Sequence, residues 1–328
     1  MQHYLILSLL LPGVGSAGPG LAKVITPMPQ QIAVAQSPLT VKIQFQASGV
    51  GLNRIYFSPD GQTLVTASAD GVASVWNLQG QALARLSGQK PPMFNARFSP
   101  DGKVILTTGY DGTVWLWNPQ GEVLEKFEPH RAATADALLS PNGKVIVTCS
   151  DDGQTLVFNP TGTRLAGIIK PGTARNLAYS PTSALIASVS DSGMLYLLAP
   201  DGEIQQEIQT GQGRMNHVRF SPNGNFILTA GTDGSAKLWG IDGSFLVEFK
   251  ATNSGWVNGT DFYLRGLYIA TASDDGVLRL WAVDGRLIQS LPLGENNKLT
   301  SLNFSADGKH LAVTSNKGQV WILDISLS

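Results

Sequence analysis

The side chains from which enzyme and metal sites are built are sparse in this chain. Its four histidines stand at 3, 130, 217 and 310, too far apart for an HExxH-type pair on one helix face. Cys149 is single, which excludes an internal disulfide framework and a multi-cysteine zinc site. Two acid pairs, Asp151-Asp152 and Asp274-Asp275, could suggest calcium binding or general acid–base work. Neither continues into a DxDxDG loop. Gly13-Val14-Gly15-Ser16-Ala17-Gly18 matches the dinucleotide pattern GxGxxG. That chemistry needs a helix opening at the loop and an acid about 20 residues later. Pro19, Gly20, Pro27 and Pro29 forbid the helix, and the first acid is Asp60. No cofactor and no metal is therefore expected.

Composition narrows the classes further. Lys+Arg of 23 against Asp+Glu of 24 leaves a net charge of −1. A nucleic-acid binder would concentrate basic residues on one face. Charged residues make up 14% of the chain, below the usual level of about 25%, and 43% is hydrophobic, which excludes a disordered chain.

The first 38 residues differ in kind. Leu5 to Leu11 is an apolar run broken by Pro12 and Gly13 and followed by small residues. This predicts a signal peptide over 1–18, with Gly15 and Ala17 before the cut, although Met-Gln-His-Tyr carries no Lys or Arg. The run is too short to span a bilayer, which takes roughly 20 residues. Residues 19–38 read as a Pro-rich spacer. The expected localisation is the periplasm or the medium, with the cytoplasm as the alternative.

The rest is one pattern repeated. Phe57-Ser58-Pro59-Asp60-Gly61 returns as Phe98-Ser99-Pro100-Asp101-Gly102, Leu139-Ser140-Pro141-Asn142-Gly143, Tyr179-Ser180-Pro181 and Phe220-Ser221-Pro222-Asn223-Gly224. Phe262 and Phe304 head two worn copies. The spacings are 41, 41, 40, 41, 42 and 42. Ser-Pro-Asp-Gly fits a type I turn. A β-rich run follows, then Asp-Gly at 70, 111, 152, 233 and 275, a hairpin signal in which both central residues take positive φ. A third run ends in a large apolar residue, among them Trp76, Trp117, Trp239 and Trp281, and a fourth closes after another Gly turn. Each repeat is thus four antiparallel strands, apolar on both faces, which need neighbours on either side. The seventh repeat ends after its third strand, while a lone strand, 39–47, precedes the first. Phe45 lies 12 residues before Phe57, as Leu86 lies before Phe98, so the N-terminal strand supplies the missing fourth strand. Length alone suggests about two domains. The repeat makes it one all-β, seven-bladed propeller over 39–328.

The period, Phe-Ser-Pro-Asp-Gly and the strands ending Val-Trp-Asn or Leu-Trp resemble the WD-repeat β-propeller family over residues 39–328. In that family a Gly-His pair before the first strand begins a hydrogen-bonded chain through Ser or Thr and the turn Asp to the Trp. Here only His130 stands near that position, in a blade with Phe158 in place of Trp, and Gly88-Gln89 is the nearest other remnant. The expectation is that no blade completes the chain and that local amides satisfy the turn Asp.

The resemblance also implies a top rim that touches partners. Position by position its candidates are Ala69, Tyr110, Asp151, Asp191, Thr232, Asp274 and Asn316, with Arg175, Arg214, Trp256 and Lys298 near the starts of innermost strands. The mixture of acids, bases and aromatics suits a protein or peptide partner. Trp256, in the Gly-bearing connection Asn253-Ser254-Gly255-Trp256 and off the apolar repeat positions, is the leading hot-spot candidate. The main sites expected are Trp256, Tyr110, Arg214, Arg175, Asp151, Asp191 and Asp274, and the expected function is a non-catalytic interaction scaffold. The alternative is an exported hydrolase or lyase using the channel, where Arg54, Asn95, Asp136, Asn176, His217, Gly259 and Ser301 occupy one repeat position. Asp136 and His217 lie two blades apart with no third group to orient either.

Overall fold

A computed structural model describes residues 37–169, 172–182, 184–251, 255–294 and 296–327. The expected signal peptide, and the spacer up to residue 36, lie outside the described residues. Seven four-stranded antiparallel sheets form the ring. The first blade runs outward through Leu52–Phe57, Thr63–Ser68, Ala73–Asn77 and Ala82–Leu86, and the next five repeat that order. The seventh takes its outermost strand from the N-terminus: Leu39–Gln46 pairs with Gln319–Ile325, Phe45 opposite Val320. Pro38, assigned to the spacer, belongs to this closure, for its carbonyl accepts the Ser326 amide at 2.9 Å.

The Ser-Pro-Asp-Gly turn and the Asp-Gly hairpin turn of a blade share one form. At Ser58-Pro59-Asp60-Gly61 the Gly61 amide donates to the Ser58 carbonyl (2.9 Å), while the Ser58 hydroxyl donates to Asp60 (2.6 Å) and accepts the Thr63 amide (3.0 Å). That is the expected type I turn. The Asp-Gly hairpins depart from the double positive φ expected of them. Only the glycine is left-handed, as at Gly71 (φ 83°), and the Gly71 amide donates to the Ser68 carbonyl at 3.1 Å. Asp and Gly are thus the third and fourth residues of a turn that begins at Ser68, not its two central residues, and the Asp carboxylate accepts an amide two residues on: Val72 at 3.1 Å, Thr113 at 3.1 Å, Ser235 at 2.9 Å.

The tryptophans of the repeat, Trp76, Trp117, Trp239 and Trp281, lie in the core between blades. Trp117 is 2% exposed and packs with Val65, Val75 and Leu86 of the preceding blade. Trp76, Trp117, Trp239 and Trp281 each donate Nε1–H to a threonine one strand inward, at 2.9–3.0 Å.

Two blades complete the hydrogen-bonded chain that the sequence was expected to lack. Trp117 donates to Thr107, Thr107 to Gln89 Oε1 (2.8 Å), Gln89 Nε2 to Thr113 Oγ1 (2.9 Å), and Thr113 to Asp111 (2.7 Å). Gln212 joins Thr229, Ser235 and Asp233 to Trp239 in the same way. A side-chain amide offers both an acceptor and a donor, so it can stand in for the histidine. His130 reaches Asp152 (3.0 Å) and Thr148 (2.8 Å), and that chain stops at Phe158, which has no N–H to give.

Candidate functional site

The innermost strands bring three tiers of side chains to the axis. The second residues, Asn53, Phe94, Ala135, Arg175, Asn216, Asn258 and Thr300, are half-buried and ring one mouth. The third residues form the tier expected to line a polar channel. Apart from Arg54 and Gly259, whose Cβ position would meet the next strand, they are Asn95, Asp136, Asn176, His217 and Ser301, all buried. The fifth residues include Tyr56, Arg97, Arg219, Asp261 and Asn303, and Tyr56, Arg97 and Asn303 line the opposite mouth.

Several of these side chains are structural ties between blades. An innermost strand presents unpaired amides to the axis, and in places the preceding blade satisfies one with a side chain. Asp136 accepts the Leu177 amide (3.0 Å), Asn176 accepts Val218 (3.0 Å), Asp261 accepts Phe304 (3.0 Å), and Asn303 accepts Phe57 across the closure (2.9 Å). His217 Nδ1 accepts the Thr260 amide at 3.3 Å, so Nε2 carries the proton. Burial, reinforced by Arg219, Arg54 and Arg97, holds His217 well below the ordinary imidazole range. Asp136 also accepts from Asn95, Asn176 (2.7 Å) and Arg97 (3.4 Å). Asp136 and His217 are thus bound to separate backbone partners.

Arginine closes the channel. Arg54 reaches from the first blade to the fifth, where it donates to the Asn216 carbonyl at 2.9 Å, with a longer bond to the Thr300 carbonyl at 3.4 Å. Below it two guanidiniums stack on the Tyr56 ring, Arg97 at 4.5 Å and Arg219 at 5.2 Å from its centroid. Burial alone would raise the Tyr56 hydroxyl; Arg97 and Arg219 outweigh it and hold the group below its ordinary value.

Above Arg54 the mouth is a cavity of about 390 Å³. Six of the expected rim residues line it: Arg175, Arg214, Trp256, Asp274, Lys298 and Asn316. Trp256 is 48% exposed, and its carbonyl accepts the Asp274 amide at 2.9 Å. Asp151 and Asp191 stand behind Arg175, at 3.0 and 3.8 Å from its guanidinium. Lys298 pairs with Asp274 at 2.9 Å. Tyr110 is set apart: it is 64% exposed on the second blade and does not line the cavity. Sequence reasoning placed Arg54 in the channel and missed Phe94 and Asn258 in the wall; the second residue of each innermost strand was the signal that would have found them.

Among the described residues no group of three or more His, Cys, Asp or Glu could hold a metal ion. Among them, too, no helix is long and apolar enough to cross a membrane.

Comparison with known proteins agrees with this architecture. A family model described as the IFT122 first beta-propeller matches residues 52–324. The chain is 67% identical over 234 residues to the WD repeat-containing protein slr1409 of Synechocystis sp. (strain ATCC 27184 / PCC 6803 / Kazusa), covering 71% of each. It is 36% identical over 268 residues to the Uncharacterized WD repeat-containing protein slr1410 of the same organism, covering 78% of this chain and 80% of that one. Seven four-stranded blades, a ring closed by the N-terminal strand and these relatives lead to one conclusion: the chain belongs to the WD-repeat β-propeller family.

Proposed function

We propose that the protein is a non-catalytic scaffold that binds a protein or peptide partner at the mouth formed by the starts of its innermost strands. The observation that carries this is the mouth itself: about 390 Å³, walled by Arg175 and Arg214, with the half-exposed Trp256 on its edge. Exposing an indole to water is unfavourable, and Trp and Arg dominate binding hot spots. A catalytic channel would need nucleophile, base and orienter within hydrogen-bond reach. Asp136 and His217 are instead tied to the backbone of adjoining blades, which favours the scaffold over a hydrolase or lyase.

The test is a pull-down from the native organism with wild type, a Trp256→Ala, Arg214→Ala variant and an Asp136→Asn, His217→Asn variant. The mouth variant should lose the partner at least about thirtyfold, as truncating a hot spot costs about 2 kcal/mol or more, with an unchanged melting midpoint. Retention of every partner by the mouth variant, with loss of a measurable turnover in the channel variant, would replace the scaffold reading by the enzyme reading. Export is a separate proposal resting on the leader. N-terminal sequencing of protein from the envelope or medium should find a start near Gly18, and an intact Met1 in the cytosol contradicts it.

A further inference from the structure

The mouth carries more positive than negative charge. Four cations line it, Arg54, Arg175, Arg214 and Lys298, against Asp274 alone. Adding Asp151 and Asp191 behind Arg175 still leaves one positive charge over, in a chain whose net charge is −1.

The excess falls on two residues. Lys298 has Asp274, and Arg175 has Asp151. Arg54 donates only to main-chain carbonyls, those of Asn53, Thr300 and Asn216. Arg214, on the wall above, has no carboxylate within ion-pair reach among the described residues. Its guanidinium is held below the ordinary arginine range, first by partial burial and then by repulsion from Arg175. Arg54, at the floor, is the guanidinium drawn from water without a carboxylate partner, and Arg214 is an exposed one above it; a guanidinium grips an incoming carboxylate with a two-pronged hydrogen bond. The apolar part of the wall, Trp256, Phe94 and Ala135, lies in the same cavity.

We propose that the partner is an acidic peptide segment whose carboxylate side chain enters the mouth towards Arg214 and Arg54 while an apolar neighbour covers Trp256. This rests on the reading of the mouth as the docking site and adds the chemistry that the site selects. The cavity exceeds what one carboxylate fills and falls within the range of sites that enclose a small ligand.

Random heptapeptides displayed on phage and panned on the full chain test it. Selected sequences are remade as fluorescein-labelled peptides and titrated by anisotropy. Acids should be enriched, and replacing the key Glu by Gln in a peptide should weaken binding to wild type at least tenfold. The same peptide change should matter less than twofold against Arg214→Gln, whose melting midpoint stays that of wild type because the side chain is exposed. Arg286→Gln, on an exposed outer turn, should bind as wild type does. Peptides without acid enrichment that nevertheless lose affinity on Trp256→Ala overturn the charge proposal and leave the docking site standing. Recovery of no peptide, or of peptides that bind Trp256→Ala as tightly as wild type, overturns both.

Discussion

Gln212 shows what one side chain can decide. It bridges Thr229 and Ser235 and so joins a buried tryptophan to a surface turn. Gln212→Ala strands buried polar partners and should cost about 1–3 kcal/mol, read as a lower urea midpoint. Gln212→His should recover most of that loss, since imidazole also accepts and donates; equal midpoints for the Ala and His variants would show that the chain of bonds contributes nothing. Trp117→Ala removes an inter-blade wedge and should cost about 3–5 kcal/mol. Ala69→Ser on the rim should cost under about 0.5. The wedge was legible because a large aromatic at a fixed offset in each repeat has few other uses. The glutamine was not, because the family pattern names a residue type, whereas the site requires a donor and an acceptor at one position.

Among elements the closing strand has the sharpest consequence. Leu39–Gln46 covers the edge of Gln319–Ile325, and Asn303 ties the seventh blade to the first through the Phe57 amide. Removing residues 1–36 should leave the melting midpoint unchanged. Removing 1–47 bares a long apolar edge and should give a lower midpoint and aggregation measurable by light scattering. Identical melting of the two truncations contradicts closure by this strand. Strand order and closure were readable from the count of strands. The type of the Asp-Gly turn was not, because the pair alone does not show that the turn begins two residues earlier, at Ser68, with Gly in fourth place.

The whole ring should respond to acid through its axis. The folded-state pKa of His217 is depressed below the unfolded value of 6.5, so below that pH the unfolded chain takes up a proton that the folded protein refuses. Stability then falls with pH, at a limiting slope of about 1.4 kcal/mol per pH unit for this one group. Burial lowers His130 against the pull of Asp152, so it adds in the same direction. Asp261, raised by burial against the pull of Arg219, acts oppositely: the folded protein takes up this proton more readily than the unfolded chain, and its protonation removes a buried charge. His217→Asn keeps an acceptor for the Thr260 amide, as Asn176 does for Val218, and should flatten the urea midpoint between pH 7 and pH 5.5. An unchanged slope would mean that His217 titrates normally.

The face of the ring that meets a partner can be read directly. Trp256 at the mouth and Phe245 on an outermost strand are both aromatic and both 48% exposed, so they differ in place and not in accessibility. A photo-crosslinking amino acid at each position, in the full chain and in cells of the native organism, compares the two faces directly. A discrete crosslinked protein is expected from position 256, disappearing on Arg214→Ala, and none from position 245. The same adduct from 245, or an adduct from 256 that survives Arg214→Ala, would contradict docking at the mouth.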